Sequence, residues 1–152
     1  MQLDEYDKQL LRQLQLNNKM SAEELGELVN LSGSAVQRRL KRLRDDKMIE
    51  ADVSIISPLA LGIGISCVVD VILEVGSSKA IDAFKTEMRS CVEVMQCYYV
   101  TGTYDFVLIV NTIDMRHYED FSKKHLMDSP NVKHFYTHVV MDKVKVGYSI
   151  NV

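Results

Sequence analysis

Apolar residues recur at helical spacing through the first third of the chain and mostly at strand spacing beyond it. Leu3, Tyr6, Leu10, Leu11 and Leu14 line one face of a first helix. Asp4 and Glu5 stand at its start, where carboxylates favour the positive end of the helix dipole. Asn17 and Asn18 end it. Ser21, followed three residues on by Glu24, forms a capping box that opens a second helix with Ala22, Leu25, Leu28 and Val29 turned inward. The segment Asn30-Leu31-Ser32-Gly33 reads as a tight turn, after which Ser34 caps a third helix whose inner face is Val36, Leu40 and Leu43.

From Ala51 to Ile56 the chain alternates and is β-branched, which predicts a short strand in a linker over residues 51–60, broken at Ser57-Pro58. Odd positions from Ile63 to Val75 are apolar while the even ones include Ser66, Asp70 and Glu74, the pattern of a strand with one wet face. Ser77 to Ser90 returns to helical spacing through Ile81, Phe84 and Met88, and Val92 to Thr101 is again strand-like. Phe106 to Ile113 is apolar on both faces, which predicts a central strand covered on each side by a helix or by another subunit. Asp114 opens a helix carrying Met115, Tyr118, Phe121 and Leu126, Ser129-Pro130-Asn131 ends it, and Val132 to Val146 forms the last strand.

This order gives an α+β protein: a helix-turn-helix domain over residues 1–50 and, over 61–152, a ferredoxin-like βαββαβ domain. A sheet with helices on one face needs cover on the other, so the second domain is expected to form homodimers that assemble further.

The net charge of -3 suits a nucleic-acid binder poorly until it is placed along the chain. Residues 1–50 hold nine bases and nine acids, but Arg38, Arg39, Lys41, Arg42 and Arg44 share one acid-free stretch of the third helix. Local field, not net charge, attracts phosphate. With Val36, Leu40 and Leu43 packed inside, Gln37, Arg38, Lys41 and Arg44 turn outward, and Ser32 and Ser34 stand at the entering end. The second helix of such a motif enters the major groove of double-stranded DNA. Gln37 can pair bidentately with adenine and Arg38 with guanine, whereas Lys41, Arg42 and Arg44 suit phosphates. Arg39 lies beside Val36 and reads as structural. A trihelical protein-binding module is the alternative.

Catalysis finds little support. His134 and His138 would stand roughly 13 Å apart on a strand, and His117 and His125 roughly 12 Å apart on a helix, too far to share a metal. No G-x-G-x-x-G, Walker or G-x-S-x-G element occurs, and no metal, cofactor or enzyme activity is expected. Cys67, Cys91 and Cys97 form no C-x-x-C pair and read as reduced packing residues. No apolar run approaches the roughly 18 to 20 residues of a membrane span, and the start is acidic where a signal peptide is basic, so a cytoplasmic protein is expected.

Leu3-Asp4 with Asp7, the run from Ser21 to Val29, Leu31-Ser32, and Arg39-Leu40 with Arg42-Leu43 together resemble the Lrp/AsnC family. The resemblance continues through Ser57-Pro58-Leu59-Ala60-Leu61-Gly62 and Val100-Thr101-Gly102-Thr103-Tyr104-Asp105 and so covers nearly the whole chain. It implies a transcriptional regulator whose C-terminal domain dimerises and senses a small molecule, an amino acid. By the same resemblance, the loop Thr101, Gly102, Thr103, Tyr104 and Asp105 lines an effector pocket between neighbouring domains, with Thr137 closing it from another subunit. Physically, Gly102 permits close backbone approach, free N–H groups can hold a carboxylate, and Asp105 can meet an ammonium. The chain departs from the family pattern at Gly33 and Ala35, near the place of a common proline, and at Arg44, where Glu is common. An architectural DNA-binding protein of the same fold, without a ligand, fits the same pattern.

Overall fold

The computed structural model describes residues 2–152, which divide into two compact units: the chain up to Ile55 together with Lys145–Val152, and Ile56–Val144. The last eight residues therefore pack with the helices and not, as expected, with the C-terminal domain. Their anchor is a polar one. The Gln15 amide donates to the Ile150 carbonyl at 3.1 Å and accepts from its N–H at 2.7 Å, and Arg12 Nε donates to the Val152 oxygen at 2.8 Å.

In the first unit, α1 (Glu5–Leu16), α2 (Ala22–Val29) and α3 (Gly33–Asp45) enclose Leu10, Leu25, Val29, Val36, Leu40 and Leu43. Burying each such side chain is worth about 1.5 to 3 kcal/mol. Tyr6 and Leu28, expected inside, are 43% and 54% exposed. Asp4 and Ser21 each close a capping box, with Asp7 and Glu24 respectively. Backbone N–H bonds hold the Asp4 and Glu24 carboxyls below their usual range, with Arg39 adding to the effect at Asp4.

In the second unit, β1 (Ile65–Leu73), α4 (Ser78–Ser90), β2 (Val94–Tyr99), β3 (Phe106–Thr112), α5 (Met115–Ser122) and β4 (Val132–Val139) follow in the expected order. The sheet is antiparallel in the order β2-β3-β1-β4, which is the ferredoxin-like arrangement. Cys67, Val69, Val71 and Leu73 from β1 and Phe106, Leu108 and Val110 from β3 meet Phe84 and Met88 of α4 and Tyr118, Phe121 and Leu126 from α5 and its π-helical extension Lys123–Met127. The opposite face carries Val68, Asp70, Ile72, Val107 and Ile109, all half-buried, with the exposed Tyr98 and Tyr136. Helices cover β3 on one side only.

One expected strand is absent and another is shorter than expected. Residues 51–56 form none, with a single 3-10 turn following at Leu59–Leu61, and β4 ends at Val139. Its partner β1 begins at Ile65, and the last bond between the two segments runs from Val140 N–H to the Ser66 carbonyl. Beyond that point the alternation of Val144 and Val146 has no neighbour to pair with. Cys67 and Cys91 are buried as expected, burial and the neighbouring Glu93 pushing the Cys91 thiol up to about 11, but Cys97 is exposed on β2. No helix among the described residues is long and apolar enough to cross a membrane.

Candidate nucleic-acid interface

The turn between α2 and α3 positions the candidate reading helix. Asn30 takes the left-handed conformation that caps α2, and the Leu31 N–H returns to the Gly26 carbonyl at 2.9 Å. The cap of α3 is Ser32, not Ser34: its Oγ accepts from the Ala35 N–H. The helix starts at Gly33, so Ser34 lies within the first turn, its hydroxyl 3.2 Å from that of Ser32.

Val36, Leu40 and Leu43 are buried, and Ser32, Ser34, Gln37, Arg38, Lys41, Arg42 and Arg44 are exposed. Exposure does not make these bases equivalent. Arg42 Nη2 lies 2.7 and 2.6 Å from the two oxygens of Asp7, a carboxylate only 1% exposed. Arg39 Nη1 reaches Asp7 at 2.8 Å and Asp4 at 2.7 Å, and its guanidinium lies over the Tyr6 ring. Arg39 is thus structural, as its place beside Val36 suggested. Arg42, expected on a phosphate, belongs with it: one helical turn beyond Arg39, it meets the same acid on α1. Lys41 pairs with Asp45 at 2.6 Å, which raises its pKa, and Arg44 pairs with Asp52 at 3.0 Å. Both pairs are exposed and exchangeable. Arg38 is in no ion pair among the described residues.

The candidate effector loop joins β2 to β3. Gly102 at φ 123° occupies a conformation that side chains rarely adopt, and Thr101 and Thr103 are exposed. Asp105 anchors the loop: its N–H donates to the Val71 carbonyl at 2.9 Å, and its Oδ2 accepts from the Leu73 N–H at 2.8 Å. One carboxylate oxygen expected to face a ligand is thus held by β1. Tyr104 packs edge-on against Tyr136, with ring centroids 5.9 Å apart. Tyr136 lies opposite Asp70 on the uncovered sheet face, whereas Thr137 lies opposite the buried Val69 and bonds to the Tyr118 hydroxyl. Within the chain Thr137 therefore faces the helices, away from the loop, and Tyr136 is the β4 residue beside it. Three of the four histidines pair with acids: His117 with Glu93, His125 with Glu87 and His138 with Asp70.

Known proteins agree with this layout. Residues 3–44 match the model of the AsnC-type helix-turn-helix domain and residues 66–150 that of the Lrp/AsnC ligand binding domain. The chain is 47% identical to an HTH-type transcriptional regulator of Sinorhizobium fredii, covering 99% of this chain and 89% of that protein. It is 34% identical to the proline dehydrogenase transcriptional activator of Rhizobium radiobacter, over 94% and 92% of the two chains. A transcriptional regulator of Neisseria meningitidis, solved in complex with L-Met, superposes with a TM-score of 0.92 at 28% identity, covering 98% of this chain and 96% of that one. With both of its domains matched in sequence and fold, the chain belongs to the Lrp/AsnC family of DNA-binding transcriptional regulators.

Proposed function

We propose that α3 reads double-stranded DNA through Gln37 and Arg38, and that the sheet unit lets a small molecule, an amino acid, control this binding. The observation that carries the first part is the outer face of α3, where Arg38 stands without an acid while Arg39 and Arg42 are held on α1. Arg38 suits the O6 and N7 of guanine and Gln37 the N6 and N7 of adenine. Ser32 and Ser34 suit phosphate at the helix start, and Lys41 and Arg44 suit it after leaving Asp45 and Asp52. Binding and not catalysis is the activity, exercised in the cytoplasm. The uncovered sheet face supports a homodimer, and further association of dimers would surround the loop at 101–105. On this reading the DNA-binding domain comprises the helices of the first unit, and the sheet unit is the sensing and oligomerising domain.

For the effector, the loop's backbone N–H groups suit a carboxylate and the second oxygen of Asp105 suits an ammonium. The L-Met complex of the Neisseria meningitidis regulator supports an amino acid as its class. Thermal melting in the presence of each of the twenty amino acids tests this: the effector at about one hundred times its Kd should add about 2.7 kcal/mol, a rise of several degrees. Asp105→Asn keeps an oxygen for Leu73 but loses the charge, and should cut that affinity by about 1.5 to 3 kcal/mol. If no amino acid moves the melting temperature, the amino-acid reading fails and a ligand-free architectural role takes its place.

A further inference from the structure

The structure assigns Asp7 a function beyond packing: we propose that Asp7, through Arg39 and Arg42, is a positioning residue that fixes the rotation of the recognition helix. This rests on the reading that α3 recognises DNA. Asp7 is 1% exposed and would be costly to bury as an unpaired charge. Its carboxylate accepts from Arg39 Nη1 at 2.8 Å, from Arg42 Nη2 at 2.7 and 2.6 Å, and from the Asp4 N–H at 3.2 Å. Asp4 adds a bond of 2.7 Å to the same Arg39 nitrogen.

The geometry gives the cluster two consequences. Arg39 and Arg42 leave α3 one turn apart and converge on one carboxylate of α1, so α3 cannot roll about its axis without breaking both contacts. A roll by one residue turns the helix by about 100° and would carry Gln37 and Arg38 off the face they share. The apolar contacts of Val36, Leu40 and Leu43 resist such a roll but are non-directional, whereas the guanidinium bonds have a fixed direction. The cluster also withdraws charge. Two of the five bases on α3 are neutralised by Asp4 and Asp7, so fewer cations compete for phosphate without regard to sequence. Asp7 thereby favours specific over unspecific binding in two ways, by orientation and by removing free charge.

The test uses the full chain, a duplex selected from random sequences for tight binding, and a scrambled duplex of equal length, each titrated across a salt series. Asp7→Asn preserves shape but releases Arg42, whereas Arg39 keeps its bond to Asp4. Its affinity for the scrambled duplex should rise several-fold, and its salt slope should steepen by about one, near 0.9 for the freed Arg42. Its preference for the selected duplex should fall by tenfold or more. A purely structural role would weaken binding to both duplexes in proportion and leave the ratio unchanged, and that result would overturn the proposal. Should Asp7→Asn not fold, Arg42→Gln decides. With Arg42 held by Asp7, this variant should keep the wild-type salt slope, and a slope shallower by about one would make Arg42 a phosphate ligand and overturn the assignment. Wild-type protein without preference between the duplexes would sink the reading of α3 itself, whereas a wild-type preference that Asp7→Asn retains would sink only this inference.

Discussion

Gly26→Ala should disable DNA binding by unfolding the turn that presents α3. A Cβ at this position would lie 2.4 Å from the Leu31 carbonyl oxygen, a backbone atom in the segment that links α2 to α3. Relief requires moving that segment, whose Leu31 N–H is bonded to Gly26 itself. Overpacking of a buried site costs about 1 to 3 kcal/mol even where side chains can yield, so a backbone clash belongs at the upper end or above. Urea unfolding followed by circular dichroism should show a loss of about 3 kcal/mol in the helical unit, together with a fall in DNA affinity of tenfold or more. Gly33→Ala provides the contrast. Its Cβ would meet only the end of the flexible Glu23 side chain, at 2.8 Å, and the change should cost less than about 1 kcal/mol. Equal losses in the two variants would show that the clash at Leu31 does not govern the turn.

Ile109→Lys should abolish self-association. Ile109 lies on β3, one of the two inner strands of the sheet, beside Val68 and Val107 on the face that α4 and α5 leave uncovered. Its neighbours there include Ile72 and the exposed Tyr98 and Tyr136, so a second copy of the face would bury an apolar patch several residues wide. Each large side chain removed from water contributes about 1.5 to 3 kcal/mol, and a lysine at the centre replaces that gain with the desolvation of a charge. A two-fold dimer also engages two half-sites at once, so DNA affinity should fall although the mutation is in the sheet unit. Light scattering after size exclusion should give a monomer for the variant and a dimer or larger species for the wild type. Wild-type protein that is monomeric at micromolar concentration would contradict the assembly.

The elements were legible because their cores obey a period: Leu25 and Val29, Val36 with Leu40 and Leu43, and the odd positions of β1 from Cys67 to Leu73 are buried as their spacing requires. What the pattern could not supply was partnership between distant positions. Arg42 looks like a phosphate ligand until Asp7, 35 residues away, is placed beside it. The signal was faintly present, since Asp4 and Asp7 are acids at a helix start facing a helix with an excess of bases. Alternation in 51–56 and 141–146 suggests strands, but a strand needs a neighbour, and β1 offers no backbone to either within the chain. Thr137 shares its parity with Phe135, which packs on the core, and within the chain it turns toward the helices.

The central claim, that α3 reads sequence and that its bases divide the work, is tested most directly by titrating Arg38→Ala and Lys41→Ala against a selected and a scrambled duplex across a salt series. Arg38→Ala should lose about 1 to 3 kcal/mol on the selected duplex and relax its preference there, because a bidentate contact to a base is gone. Lys41→Ala should weaken both duplexes alike and lower the salt slope by about one, because its partner is a phosphate. Two variants that bind both duplexes as the wild type does would contradict the account.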